Sequence, residues 1–166
     1  MSDLATLGPN GWETRQIVKR GVEVLAQSAV PASVTGTISE TVLATIPIPA
    51  GAMGVDGSLR VTTLWSYTNS ANIKNCRVKI GSTVISVFSQ TATAGMQRMD
   101  FLRNRGSLAS QVAFPNSTNP FGTTTAAVPT YAFDMSVEQI LTLTGELANP
   151  GETITLQGYT IELLNP

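Results

Sequence analysis

The chain has 166 residues, a net charge of −1 and 13% charged residues, and it contains no histidine. A chain of this length is expected to form one domain whose core is large enough to fold without disulfide bonds. Its balanced, sparse charge predicts no binding to nucleic acid or to an anionic membrane. Without histidine, Ser-His-Asp and Cys-His catalysis and histidine-ligated zinc or non-haem iron are excluded.

The first part of the chain, residues 1–37, differs from the rest and is predicted to form an N-terminal arm. Asn10 and Glu13 have the spacing of a capping box, a pattern that indicates one short helix over 11–20. A helix of ten residues is marginal in water without packing against another surface. The arm is therefore predicted to attach to a partner or to contribute to oligomer contacts.

The apolar residues of this predicted helix are Trp12, Ile17 and Val18. They do not form a continuous stripe along one helix face, so the helix needs a surface to pack on. We expect these three residues to bind that surface, which belongs either to the chain's own domain or to another subunit. Further along the arm, 22–27 is predicted to form a first strand and 30–36 a linker.

The most regular pattern in the chain is a pair of alternating segments, 41–48 and 59–67, joined by the glycine-rich stretch 49–57. Side chains alternate between the two faces of a strand, so this pattern predicts a β-hairpin with one apolar face. The apolar set is Val42, Ala44, Ile46, Ile48, Leu59, Val61, Trp65 and Tyr67. Gly51, Gly54 and Gly57 are predicted to serve the turns of the connection.

Further strands are predicted over 74–81, 83–90, 97–104, 108–114, 137–144 and 153–163. In the last one the apolar phase slips near Gly158, which indicates a β-bulge or bend. A total of about eight strands, separated by turn signals, favours an all-β fold: an antiparallel β-sandwich of jelly-roll type over 38–166.

Cys76 is the only cysteine, so an intrachain disulfide and a cysteine-based metal site are excluded. It lies in phase with Val78 and Ile80, which predicts a buried structural thiol rather than a nucleophile. We expect no metal and no cofactor. A calcium loop at Asp56 is disfavoured because this carboxylate has no acidic or Asn neighbours.

Two carboxylates could in principle act as the acid and base of glycoside hydrolysis. The candidates are Asp56, Asp100, Asp134, Glu138, Glu146, Glu152 and Glu162. Most of them lie in or beside predicted turns, where a solvated or capping carboxylate is the ordinary expectation. The sequence thus predicts that the protein is not an enzyme.

Two aromatic residues are better placed than the core aromatics to contact a ligand or a neighbouring subunit. Phe121 lies in the irregular stretch 115–129, and Tyr131 follows it. Aromatic rings in exposed loops can stack on sugar rings or anchor a protein contact.

Several stretches resemble small bacteriophage virion proteins. They are 40–54, 57–72, 77–81, 104–112, 141–149 and 153–156, and the similarity extends over roughly 38–164. In such families the β-sandwich lies on the outside of the particle, as a capsid decoration subunit or as a tail-fibre or receptor-binding tip, often in trimers. The motifs are structural, so the resemblance implies no active-site residues.

The resemblance and the composition together predict a non-enzymatic virion structural protein, made in the bacterial host cytoplasm. We expect a homotrimeric decoration or cement subunit, anchored by its arm to another virion protein such as the major capsid protein. The alternative is a tail-fibre or receptor-binding tip that recognises a bacterial surface glycan. No nucleic acid or membrane partner is expected.

Overall fold

A computed structural model describes residues 21–115 and 121–165, together with the backbone of 6–8 and 11–13. This part of the chain forms thirteen strands and no helix. The strands are β1 (Thr6–Gly8), β2 (Gly11–Glu13), β3 (Gly21–Ser28), β4 (Ala32–Thr35), β5 (Thr41–Ile48), β6 (Ser58–Tyr67), β7 (Lys74–Ile80), β8 (Thr83–Gln90), β9 (Gly95–Asn104), β10 (Gln111–Ala113), β11 (Thr130–Tyr131), β12 (Gln139–Leu147) and β13 (Thr153–Asn165).

Eleven of these strands form two antiparallel sheets. The larger sheet has seven strands in the order β11-β10-β9-β6-β13-β3, with β4 also paired to β13. The smaller sheet has four strands in the order β5-β12-β7-β8. The predicted antiparallel β-sandwich is confirmed, and the strand order is compatible with a jelly roll.

The core lies between the inward faces of the two sheets, where alternate side chains of each strand are buried. In β6, every second residue from Leu59 to Tyr67 is buried, including Thr63. In β7 the buried positions are Lys74, Cys76, Val78 and Ile80. The prediction that Cys76 is buried with its two apolar neighbours is therefore confirmed.

The predicted hairpin of β5 and β6 is wrong, although both strands are present. β5 pairs with β12 in the smaller sheet, whereas β6 pairs with β13 and β9 in the larger one. The connection 49–57 therefore carries the chain from one sheet to the other. Alternation identifies the inward face of each strand, but it does not reveal which strand lies alongside it.

Val42 was predicted to face the core, and this is also wrong: 54% of it is exposed. The register of β5 against β12 shifts between Leu143 and Thr144, which pair with Ala44 and Val42. A β-bulge of this kind turns one residue out of phase. As a result Leu43 packs against the core and Val42 faces solvent.

β13 is the longest strand, and three other strands of the larger sheet pair with it. One edge pairs with β6, and the other pairs with β3 and β4 in succession. The bulge predicted near Gly158 is confirmed, since the register against β6 shifts between Leu156 and Gly158. Ile154 and Leu156 before the shift and Ile161 and Leu163 after it all reach the core.

The predicted helix over 11–20 is wrong over its first three residues. Gly11–Glu13 is β2, which pairs antiparallel with β1 and places Trp12 opposite Leu7. The capping-box spacing is a local signal, and pairing with a preceding segment overrides it here. Residues 14–20 lie outside the described part of the chain.

The segments between 21 and 35 belong to the larger sheet. The first strand predicted over 22–27 is confirmed as β3, and part of the predicted linker forms β4. Both strands hydrogen-bond to β13. The division into an arm at 1–37 and a domain at 38–166 stays a prediction, but the sandwich includes strands from before residue 38.

Candidate functional site

The three arm residues predicted to bind a partner fall in the least described part of the chain. For Trp12 the structure describes the backbone alone, paired with Leu7. Ile17 and Val18 lie outside the described residues. Their role as an attachment surface therefore remains a prediction.

Phe121 lies in the long connection between β10 and β11. It is 60% exposed, and the residues from 121 to 128 are all exposed. An exposed Phe in a loop has lost little water on folding and can bury its ring only against a second molecule. Phe121 is thus accessible to a ligand or to a neighbouring subunit.

Tyr131 occupies a different environment, since it is half-buried in β11 at the edge of the larger sheet. Its ring stacks on Phe133 with 5.2 Å between the centroids. Its hydroxyl donates a long hydrogen bond, 3.5 Å, to the carbonyl of Ile85 in β8, and burial raises the pKa of Tyr131. Tyr131 therefore links the edges of the two sheets. Among the described residues, no ring contact joins it to Phe121.

Some of the carboxylates are held by cations on the outer faces of the sheets. On the larger sheet, Arg60 donates from Nε and Nη2 to the two oxygens of Glu162, at 2.6 and 2.7 Å. This bidentate pair lowers the pKa of Glu162. Glu162 is therefore ionised at neutral pH and its oxygens are occupied.

A second set of charges lies on the outer face of the smaller sheet. Glu146 accepts from Arg77 and also from Asn75, contacts that lower its pKa. Glu40 accepts from the Thr144 hydroxyl at 2.6 Å and from Lys79 at 3.0 Å, and these contacts lower its pKa as well. The alternating charges tie β12 to β7 and to the segment before β5.

Two further carboxylates sit in more enclosed positions. Asp100 accepts a hydrogen bond from the Nε of Arg98 at 2.9 Å, and the same guanidinium lies over the ring of Phe88. Glu152 is buried and accepts from Asn72 at 2.8 Å and from Lys74 at 3.5 Å. Asp134 accepts from the backbone N–H and hydroxyl of Ser136 and so stabilises its own turn.

Lys74 is a buried functional group that the sequence analysis missed. Its side chain is fully buried in β7, and Nζ donates to the Ser70 hydroxyl at 2.8 Å as well as to Glu152. Buried charges persist in proteins when they are paired and hydrogen-bonded. Its position in phase with Cys76 and Val78 was the available signal. The pair connects the loop before β7 to the loop before β13.

A second buried polar group joins the loops at the opposite end of the sandwich. Gln111 is fully buried, and its amide N donates to Asn104 Oδ1 and to the carbonyl of Leu108, each at 3.0 Å. Its oxygen accepts the N–H of Phe133 at 2.9 Å. Asn104 in turn donates to the carbonyl of Gly54. Gln111 therefore holds three loops together.

The thiol of Cys76 is 4% exposed, and burial raises its pKa to about 12. A protonated, enclosed thiol is a poor nucleophile. Within the described residues, no group of three or more Cys, Asp or Glu side chains could hold a metal ion. The same part of the chain contains no helix that is long and apolar enough to cross a membrane.

No protein-family model and no curated protein sequence matches the chain. Among solved structures, the chain is similar to one in the structure of infectious bursal disease virus, Gt strain, with 12% identity. The match covers 97% of this chain and 46% of that one, so this chain spans less than half of its neighbour's length. The TM-score is 0.26. A likeness of this size carries no argument about function.

Proposed function

We propose that the protein is a non-enzymatic structural protein of a phage particle. It acts as a decoration or cement subunit on the exterior and is anchored by the residues that precede β3. One geometric observation carries the proposal: Gly21 pairs with Asn165, beside the loop 49–57. Residues 1–20 thus join the sandwich at one end, and the loops of the opposite end are left to face outward.

The state of the carboxylates supports a non-catalytic role. A general acid that works at neutral pH needs a raised pKa. Glu40, Glu146, Glu152 and Glu162 have lowered pKa values because each accepts hydrogen bonds from neighbouring side chains. At neutral pH they are therefore ionised, and as anions they stabilise the fold.

The resemblance to phage exterior proteins supplies the remaining parts of the proposal. The subunit is a homotrimer located on the virion and made in the bacterial host cytoplasm. Its partner is another virion protein such as the major capsid protein, and it binds neither nucleic acid nor membrane. A trimer predicts a mass of three chains in sedimentation equilibrium, and a monomer at micromolar concentration would contradict this part.

The anchoring role is tested by co-sedimentation with particles that lack the protein. A full-length variant with Trp12, Ile17 and Val18 all changed to Ala is expected to lose particle binding. The far-UV circular dichroism of the sandwich should be unchanged. The matched control is Val128→Ala, an apolar truncation in an exposed segment of the sandwich. Particle binding by the triple variant at wild-type level would overturn the anchoring role.

The alternative function, a tail-fibre or receptor-binding tip for a surface glycan, is favoured by the exposure of Phe121. It predicts that labelled protein binds host cells and that Phe121→Ala abolishes this binding, with Val128→Ala as the control. Tyr131→Phe tests the hydroxyl while it keeps the half-buried ring. Absence of binding to whole host cells would exclude the alternative.

A further inference from the structure

The outer face of the larger sheet contains a pocket of about 280 Å³ that none of the roles above uses. Four strands contribute to its lining: β3, β6, β9 and β13. The polar side chains of the lining that lie on the outer face are Gln27, Thr62, Gln97 and Thr160, and Leu64 provides an apolar wall. We call this the outer-face pocket.

The register of the sheet brings these residues together although they are far apart in sequence. Thr160 lies between Gln27 on one side and Thr62 on the other. One step along the sheet, Leu64 lies between Gly158 and Gln97. Directly paired residues have Cβ atoms about 5 Å apart, so the four polar groups border one shallow space.

The pocket owes its depth to the bulge in β13. Gly158 follows the register shift and presents no side chain to the outer face. A Cβ at this position would lie 3.0 Å from the carbonyl oxygen of Ser28, a tight contact that a larger residue could keep only if the backbone of β3 moved by a few tenths of an ångström. The floor of the outer-face pocket is therefore backbone, and its walls are side chains.

The hydrogen-bonding groups of the walls have no partners within the described part of the chain. Among the described residues, no hydrogen bond involves the side chain of Gln27, Thr62, Gln97 or Thr160. Two amides and two hydroxyls can each donate and accept. In the apo protein these groups contact solvent, and a ligand can use all of them.

The charge of the site restricts the class of ligand. The outer-face pocket has no charged residue in its lining. The nearest charges along β6 and β13 are Arg60 and Glu162, which satisfy one another in a bidentate pair. A site of this composition offers an ion no opposite charge, and its donors and acceptors match a neutral molecule that carries several hydroxyl groups. The volume lies just below the range of about 300–1,000 Å³ typical of drug-sized ligands, which corresponds to one small ring.

From these observations we infer that the outer-face pocket binds one neutral sugar unit. Amide and hydroxyl groups of Gln27, Thr62, Gln97 and Thr160 would hydrogen-bond its hydroxyls, and Leu64 would contact its apolar ring face. The site is separate from Phe121, and it does not depend on whether the protein acts as a decoration subunit or as a tail tip.

The inference is tested by NMR titration of the ¹⁵N-labelled full chain. The probes are methyl glycosides of glucose, galactose, mannose and rhamnose. At least one is expected to shift the amide signals of Thr62, Gln97 and Thr160 in a saturable way, with the millimolar Kd typical of a shallow site. Thr62→Val and Thr160→Val together keep the β-branched shape but remove both hydroxyls. This double variant is expected to bind at least about tenfold more weakly, the equivalent of about 1.4 kcal/mol.

Two controls separate this site from others. Thr45→Val is the same exchange at an exposed position on the outer face of the smaller sheet and should leave the Kd unchanged. Phe121→Ala should also leave it unchanged. The inference is overturned if no probe shifts the pocket signals at 100 mM. It is equally overturned if the double variant binds as tightly as the wild type, or if the shifts lie elsewhere.

Discussion

Replacement of Gln111 by Leu provides the sharpest test of how the three loops around this side chain are held together. Leu has a similar volume and fills the buried site, but it can form no hydrogen bond. The exchange leaves the N–H of Phe133 and the side-chain oxygen of Asn104 without their partner, whereas the carbonyl of Leu108 keeps the N–H of Met135. Because Gln111 is fully buried, water cannot easily replace it.

The expected cost follows from the groups left unpaired. An unsatisfied buried donor or acceptor costs about 1–3 kcal/mol, and part of the loss is relieved where a loop can move to reach water. For two such groups we expect Gln111→Leu to lower the free energy of unfolding by about 2–4 kcal/mol. A loss of this size is large against the total of about 5–15 kcal/mol for a native domain.

Urea unfolding at pH 7 and 25 °C measures this loss. Trp65 is 2% exposed, so its fluorescence reports on the core, and circular dichroism reports on the sheets. The m value should stay constant, because the surface exposed on unfolding hardly changes. The control is Gln157→Leu, which removes one exposed hydrogen bond to Ser66 and should cost about 0.5 kcal/mol or less. A loss below about 1 kcal/mol for Gln111→Leu would refute the reasoning.

Three further predictions concern single groups. A Cβ at Gly57 would lie 1.8 Å from the carbonyl oxygen of Met53, so Gly57→Ala should lower the melting temperature strongly. The control is Gly51→Ala, at a site that is open and has a φ of 67°, and it should lower the melting temperature far less. Equal effects of the two exchanges would contradict this prediction. The thiol of Cys76 should react with Ellman's reagent at pH 8 only in urea, and fast labelling of native protein would exclude its burial. The pKa of Glu162 is lowered by folding, so its stabilisation is complete above the unfolded value of about 4.3 and is lost as the pH falls through the folded one. In Glu162→Gln the free energy of unfolding should therefore fall less steeply below pH 5 than in the wild type. An unchanged pH profile would contradict the ion pair.

Strand positions could be predicted where alternation is regular. The segments 41–48 and 83–90 were predicted with the bounds that β5 and β8 have in the structure. The pairing partner of each strand could not be predicted, because the apolar face of a strand can be buried against any layer that faces it. Hence β5 and β6 were placed in one hairpin, although they lie in opposite sheets.

The bulges show a second limit. Near Gly158 the slip in apolar phase is visible within a single strand, and a bulge was predicted there. Beside Val42 the extra residue is Leu43 of β5, and it becomes evident only in the pairing with β12, so the sequence of β5 alone does not indicate it. Local patterns thus predict irregularities that interrupt their own periodicity and miss those that arise from pairing.

The candidate sites divide in the same way. Phe121 stood out because its surroundings are rich in turn residues, and it is exposed. Tyr131 had the same sequence context, but the short pairing of β11 with β10 draws its ring toward the sheets. The outer-face pocket combines residues 27, 62, 97 and 160, whose proximity exists only in the folded sheet, so no linear motif could reveal it.

The pairing of Gly21 with Asn165 has a mechanical consequence. Hydrogen bonds between antiparallel strands run perpendicular to the strand axes. A load applied between residues before Gly21 and residues after Asn165 would break the hydrogen bonds between β3 and β13 one after another. A load between the N-terminal anchor and the loops at the far end would instead run along β3 and stretch all its rungs together. A subunit held only through residues 1–20 would therefore bear tension in the direction in which its first long strand is strongest.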